Sequence, residues 1–441
     1  MINIGFIGLG CEKNNINTEQ MIAACINAGY NIVSDLDKTQ VAIINTCGFI
    51  EDAKQEALET IFEVAQLKKE GKIQRIIAAG CLVERYQAEI AAEIPEVDGF
   101  LGVGSFQRVA VAVEKVLNGE RVEWYDPKEN LQLEGERVLT SPPATAYIKI
   151  ADGCNNRCAY CCIPDIRGPF RSRSARLIFA EAQKLAEEGS KELILIAQDT
   201  TNYGLDRYGR RCPEKVIDRI TPIEGVEWIR LLYLYPDKIN DTLIERFKTN
   251  EKLLPYIEMP IQHAAGSVLQ RMKRPGNEKT LMKLINTLRK EIPNVVLRTT
   301  VIVGFPGETE EEFEILCNFI KEAQFDKLGV FCYSQEEGTS AALMEDQIPE
   351  DVKERRREVI ETIQADIVEK KQAAMVGKTF KVLVEGYDRI SECWFGRSYM
   401  EAPDIDGKIF FTGGSSITPG EMVDVTIEDV IDFDLVGRIA E

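Results

Sequence analysis

The sequence predicts a multidomain α/β protein: an N-terminal parallel α/β sheet domain, a central partial TIM-like barrel and a small C-terminal β-barrel. Three observations predict it. Short apolar runs alternate with helical segments from the N-terminus to about residue 330, as in parallel sheets with crossover helices. After Thr379 the pattern changes to short strands and turns. The chain has 441 residues, more than one ordinary core holds.

The elements follow in order. Residues 2–9 form an apolar run that ends at Gly10 and Cys11, and a helical stretch covers 18–28 before Gly29 stops it. A second run, 41–44, leads to Asn45, Thr46 and Cys47, and an amphipathic segment fills 52–69. A third, 76–79, ends at Gly80 and Cys81. Ligands of parallel sheets sit at the carboxyl ends of the strands, where these three cysteines stand. They are predicted to converge on one metal site. A polar, irregular stretch at 118–144 closes with Ser141-Pro142-Pro143, separating a first domain (1–117) from a second (140–371). The second shows strand candidates at 147–150, 192–197, 228–233, 256–259, 295–303 and 327–333, with helices between them at 180–188, 279–290 and 310–323. Such a series suggests a barrel, complete or partial, with chemistry at the C-terminal strand ends. A charged helix covers 350–375, and five short strands in 372–441 fit a small β-barrel.

Composition narrows the class. The chain is 44% hydrophobic and 28% charged, as globular proteins are, and no window approaches ~18 consecutive apolar residues, so no membrane span is expected. The start, MINIGFIGLGC, lacks a basic n-region and a long apolar run, so it reads as a strand and not as an export signal. A cytoplasmic, reducing location is expected, where the 12 cysteines serve as metal ligands or core residues instead of disulfides. The single histidine, His263, excludes sites built on two imidazoles. A formal net charge of −19 disfavours nucleic acid and favours a basic partner.

ADGCNNRCAYCC, residues 151–162, carries Cys154, Cys158 and Cys161 as C-x3-C-x2-C. A structural zinc site wants four ligands, usually as two pairs, and the next cysteine beyond Cys162 is Cys212. A cubane cluster held by three thiolates keeps one iron open for chemistry. The spacing favours the cluster; zinc and a plain iron–sulfur scaffold or electron carrier are the alternatives.

The run GCNNRCAYCCIP resembles the radical S-adenosylmethionine (radical SAM) signature, with Tyr160 as the aromatic before the last cysteine. LGCEKNNINTE, NTCGFIEDAK, AAGCLVERY, IRGPFRSRS, MPIQHAAGSVLQRMKRPG, RTTVIVGFPGETEEEF and LGVFCYSQEEGT are similar to motifs of the radical SAM methylthiotransferases, and the C-terminal barrel looks like their TRAM domain. The resemblance covers nearly the whole chain. It implies two [4Fe–4S] clusters, a SAM-cleaving one on Cys154, Cys158 and Cys161 and an auxiliary one on Cys11, Cys47 and Cys81. It implies SAM as both methyl donor and radical source, a SAM contact at Tyr160, and a reducing electron donor such as flavodoxin or ferredoxin.

The family divides by substrate into a branch acting on an adenosine of tRNA and a branch acting on the β-carbon of an aspartate of small-subunit ribosomal protein S-12. Residues 372–441 hold six basic against thirteen acidic side chains, a net of −7, and EDVIDFDLVG at 428–437 opposes RNA. The ribosomal-protein branch is therefore expected, with the tRNA branch as the alternative. Cys162 is expected to pack, not to ligate. Cys25, Cys212, Cys317, Cys332 and Cys393 read as core or neutral surface, and His263 as either active-site lining or structural. GFPGET, 304–309, reads as a turn that the resemblance places near SAM. Arg167, Arg171, Arg173 and Arg176 read as a solvated face or as a contact for an acidic substrate group.

Overall fold

The computed structural model describes residues 1–142, 144–414 and 417–440. Pro143, part of the predicted domain boundary, and Glu441 lie outside them. Six parallel strands build the first sheet: β1 (Asn3–Gly8), β2 (Asn31–Val33), β3 (Val41–Thr46), β4 (Arg75–Gly80), β5 (Gly99–Leu101) and β6 (Val122–Trp124), in the order β2-β1-β3-β4-β5-β6. All of β3 is buried, as a central strand covered on both faces must be. Sequence periodicity found β1, β3 and β4 but not β2, β5 and β6, which are only three residues long. β6 also gives edge-strand structure to the stretch 118–144 that reads as irregular in sequence.

The central domain contains β7 (Thr145–Lys149), a short β8–β9 pair (Ala151–Asp152, Arg171–Ser172), β10 (Glu192–Ile196), β11 (Trp228–Leu231), β12 (Tyr256–Glu258), β13 (Val296–Val303) and β14 (Lys327–Cys332). β7, β10 and β11 form one parallel sheet and β12, β13 and β14 another. The Ile229–Leu253 bridge and the bond from Leu234 N–H to Glu258 O (2.9 Å) join the two into one arc. Among the described residues no ladder runs from β14 back to β7. The barrel is thus the partial one. Leu193 and Leu195 pack under helices on the outer face, whereas Ile194 and Ile196 share a cluster with Met400 and Phe411 of the third domain.

That domain is a closed barrel of β15 (Thr379–Asp388), β16 (Cys393–Arg397), β17 (Ile409–Thr412), β18 (Met422–Ile431) and β19 (Asp434–Ile439), in the order β15-β16-β17-β19-β18. The helix Glu350–Ala373 leads into it and packs on the central domain, where Gln364 Nε2 donates to Phe325 O at 3.0 Å. A buried ion triad seats the barrel. Glu192 accepts from Arg230 Nε at 2.8 Å and from Arg397 Nη2 at 2.7 Å.

Candidate functional site

Register brings the N-terminal cysteines together. Gly8 pairs with Asn45 and Thr46 with Gly80, so the chain leaves β1, β3 and β4 at one level of the sheet, just before Cys11, Cys47 and Cys81. Two glycines let the three loops touch. Gly10 adopts φ +86°, and a Cβ there would stand 2.7 Å from Cys47 Cβ. A Cβ on Gly48 would meet the Leu82 backbone at 2.6 Å. Cys11 caps the helix Glu12–Asn27, and Cys81 opens the helix Cys81–Tyr86. The first of these helices starts earlier than its apolar pattern. Its first turns carry the buried polar residues Lys13, Asn14 and Asn17, which interrupt the hydrophobic period.

Those polar groups face Arg167 of the central domain, which is 2% exposed. Arg167 Nη1 donates to Asn17 Oδ1 (2.8 Å), and Nη2 donates to Asn14 Oδ1 (3.0 Å) and to Cys81 Sγ (3.1 Å). Burial pushes the Cys81 thiol up to about 11, only partly offset by Arg167. Burial likewise raises Cys47. Cys11 keeps an exposed surface, and although desolvation opposes it, the charges of Lys13 and Arg167 and two backbone N–H groups hold its thiol below the ordinary value.

Cys154, Cys158 and Cys161 lie on the loop after β8. Cys154 N–H donates to Gly168 O (3.1 Å), and Cys161 N–H to Cys158 O (3.2 Å). Cys158 Sγ stands 3.7 Å from Tyr235 Oη and 3.9 Å from Arg274 Nη1, and the Arg274 guanidinium covers the Tyr235 ring at 4.4 Å. Burial raises the thiols of Cys154 and Cys161. Tyr160 packs partly buried against the barrel core, and burial holds its phenol well above the ordinary value. Beside this loop Lys238 Nζ donates to Asn156 Oδ1 (2.7 Å) and pairs with Asp199.

The loops that carry the two sets of cysteines meet at a domain contact, where Arg167 reaches Cys81. Cys162 packs with Cys81, Ile166 and Phe49, as a packing residue should. Glu336, from the QEEGT stretch, accepts from Arg85 Nη1 (2.8 Å) and pairs with Lys54 Nζ (3.2 Å), both of the first domain. The arginine-rich stretch is not a single face. Arg167 is spent on the contact just described, Arg173 pairs with Glu134 and Glu181, and Arg171 donates to the carbonyls of Lys128 and Leu131. Only Arg176 of the four is exposed. His263 is fully buried: its Nδ1 accepts from Ala265 N–H (3.0 Å), and its Nε2 faces Glu308 Oε1 at 3.6 Å. Glu308 of GFPGET folds back onto the N–H groups of Gly304 and Phe305. Cys25, Cys212, Cys317 and Cys393 are buried, and Cys332 is half-buried.

Among the described residues no three His, Cys, Asp or Glu side chains are grouped as ligands of one metal ion. A single tetrahedral ion needs its thiolates about 2.3 Å from one point, whereas a cubane takes one thiolate per iron and spreads them wider. Three thiols carried on three loops, with a guanidinium against one of them, fit a group that takes one thiolate per iron.

Sequence relatives bear on this arrangement. A ribosomal protein uS12 methylthiotransferase RimO of Thermoanaerobacter sp. (strain X514) is 47% identical over 439 residues, 99% of this chain and 100% of the relative. The chain belongs to the RimO methylthiotransferase family. Family members of Pelotomaculum thermopropionicum and Clostridium acetobutylicum are 46% and 43% identical, each across 99% of the chain and 99% and 98% of their own lengths. Residues 148–320 match the radical SAM superfamily, residues 376–440 the TRAM domain, and residues 3–102 the uncharacterized protein family UPF0004. This RimO-family chain is therefore a transferase, a radical SAM methylthiotransferase with SAM and [4Fe–4S] iron–sulfur chemistry as its cofactors. Its fold is shared with TsrM of Kitasatospora setae, a radical SAM methyltransferase (TM-score 0.57, 11% identity, 75% of this chain and 73% of that one). It is shared also with the cobalamin-dependent SAM radical enzyme OxsB (TM-score 0.52, 11% identity, 82% of this chain and 56% of that one). Among the described residues no helix is long and apolar enough to cross a membrane.

Proposed function

We propose that this enzyme adds a methylthio group to the β-carbon of an aspartate of ribosomal protein uS12, with two [4Fe–4S] clusters and with SAM as both methyl donor and radical source. The observation that carries the proposal is the meeting of the two cysteine-bearing loops, with Arg167 and Cys162 both against Cys81, within a chain that matches uS12-modifying relatives along its full length. Cys154, Cys158 and Cys161 hold one cluster, and Cys11, Cys47 and Cys81 the other. When bound, the clusters supply one-electron reduction of SAM and an open iron that carries sulfur.

The protein's own groups do the rest. Arg167 fixes Cys81 and ties the auxiliary loops to the helix that follows the SAM-cleaving loop. Tyr235 and Arg274 cover Cys158 and keep water from that side of the site. Tyr160 contacts SAM from the segment between Cys158 and Cys161. Segments 1–117, 140–371 and 372–441 act as auxiliary-cluster, radical and TRAM domains. The last has a net charge of −7 and draws a basic protein in place of nucleic acid. A reducing donor such as flavodoxin or ferredoxin feeds the clusters, in the cytoplasm, where the ribosome is.

Mass spectrometry of uS12 and of tRNA from a strain lacking the gene tests the proposal. Loss of the methylthio mass from uS12 alone is expected. Loss from tRNA with uS12 unchanged overturns the substrate.

A further inference from the structure

Lys13 is a buried cation with which, among the described residues, no carboxylate pairs, the Cys11 thiol being among its charged neighbours. Only 7% of the residue is exposed, and it lies two positions after Cys11 in the first turn of the helix Glu12–Asn27. Its Nζ stands 3.3 Å from the centroid of the Tyr233 ring, and among the described residues no carboxylate forms an ion pair with it. Several other buried cations here pair with carboxylates, although Arg274 too has none among the described residues. Lys149 holds Asp152 at 2.7 Å, and Arg397 holds Glu192 at 2.7 Å. Glu258 faces Lys13 but is occupied, accepting from Tyr233 N–H (2.9 Å) and lying 3.6 Å from Arg298, which also faces Asp406 at 3.4 Å. The Tyr233 ring and the nearby Cys11 thiol stabilise the ammonium, but neither is a carboxylate that pairs with it. Lys13 is therefore a buried ammonium that no carboxylate yet pairs with.

The ring beneath it is held in place at a cost. Tyr233 adopts φ +62°, a left-handed conformation that non-glycine residues avoid, and such strain gathers at ligand sites. Two residues on, Tyr235 reaches Cys158 Sγ at 3.7 Å. The segment 233–235 thus runs from the neighbourhood of Cys11 to that of Cys158, a span of at most ~7 Å along the chain. Cys11 is exposed, and Cys47 and Cys161 are partly so, which leaves this junction open to solvent. A carbon that loses hydrogen to chemistry at one triad and gains sulfur at the other has to stand here.

We propose that Lys13 receives the side-chain carboxylate of the substrate aspartate and so seats its β-carbon between the two cysteine triads. This rests on the uS12 assignment above. The carboxylate is bonded directly to the β-carbon, so holding one places the other. Lysine suits the task because its three donors rotate to meet an anion from any side, and charge-assisted bonds are the strong ones.

The test is a cycle of enzyme and substrate variants read as binding. The reconstituted full-length enzyme is titrated with uS12 carrying the target aspartate and with uS12 carrying asparagine there. Wild type is expected to prefer the aspartate form about tenfold, the worth of one charge-assisted bond. Lys13→Gln should bind both forms alike, at the wild-type level for the asparagine form, and Lys13→Arg should keep a preference. The proposal is overturned if wild type does not discriminate, or if Lys13→Gln weakens both forms in equal proportion, as a packing defect over Tyr233 would. Should Lys13→Gln fail to fold, equal binding of both forms by folded Lys13→Arg overturns it. A wild type that neither binds nor modifies uS12 removes the substrate assignment and this inference together, whereas discrimination that survives Lys13→Gln removes the inference alone.

Discussion

Arg167 Nη2 stands 3.1 Å from Cys81 Sγ, so the helix following one cysteine loop grips a cysteine of the other. The same side chain holds Asn14 and Asn17 and lies 3.7 Å from Asp152, which Lys149 also engages at 2.7 Å. Burial alone would raise the Asp152 carboxyl, but Lys149 and Arg167 hold it well below its ordinary range. Arg167→Ala strips half the positive charge from a buried carboxylate and leaves two amide oxygens without donors. A loss of about 3–5 kcal/mol of stability is expected, read as a lowered denaturant midpoint. Arg167→Lys should lose less but not nothing, because an ammonium cannot reproduce the fork. An Arg167→Ala enzyme as stable as wild type would refute the anchoring role.

The metal count follows from the two triads. Anaerobically reconstituted enzyme should hold about eight iron, and Cys154→Ala and Cys47→Ala should each remove about half. Iron analysis with ultraviolet–visible absorption checks this. A single variant that keeps its full complement removes that cysteine from the ligand set.

Separate roles for the triads give a second outcome. With Cys11, Cys47 and Cys81 all changed to Ala, the enzyme should still form 5′-deoxyadenosine from SAM while methylthio transfer to uS12 stops. Chromatography of the nucleoside product and mass spectrometry of uS12 read the two activities apart. Loss of both in a folded triple variant would merge roles that are separated here.

The six cysteines proposed as cluster ligands were easy to pick out in sequence because each N-terminal one ends an apolar run and the other three share one short loop. Strand register then does the rest, since Thr46 pairs with Gly80 whether or not the chain says so locally. What was not legible is long-range. Arg167 meets Asn14 across 153 positions, and Lys13 meets Tyr233 across more than two hundred, with no periodicity to connect them. Arg167, Arg171 and Arg173 look like one basic face in sequence because charge count does not reveal that each turns to a different partner. The C-terminal strands were easier to find, being bounded by turn residues such as Gly407 and Gly420 and closed by local pairing.

Glu192 gives a pH-dependent outcome. Burial opposes its charge, but Arg397 and Arg230 lower its carboxyl from 4.5 to about 2. A carboxyl depressed on folding contributes stability that is complete above its unfolded value, and that stability is lost as pH falls through the folded one. Glu192→Gln should therefore destabilise the protein by about 3–5 kcal/mol at pH 7, and the gap should narrow between about pH 4.5 and 2. Unfolding midpoints of both proteins across that range decide it. A gap that does not change with pH would assign the loss to packing, not to charge.

The acidic C-terminal barrel selects the substrate if its charge acts at long range. Asp429 and Asp432 are exposed, whereas Asp434 accepts from Lys408 N–H (2.8 Å) and helps hold the barrel, so the first two are the ones to change. Asp429→Lys with Asp432→Lys should weaken association with basic uS12, most at low salt, because exposed charges are screened over ~8 Å at physiological ionic strength. The two changes add four units of positive charge to a surface whose acids otherwise repel phosphate. Weak, salt-sensitive tRNA binding should therefore rise in the same variant as uS12 binding falls. Association rates for uS12 and for tRNA across a salt series measure both effects on one pair of proteins. If uS12 association is unchanged at low salt, this face does not steer the substrate, and recognition has to come from the cleft between the triads alone.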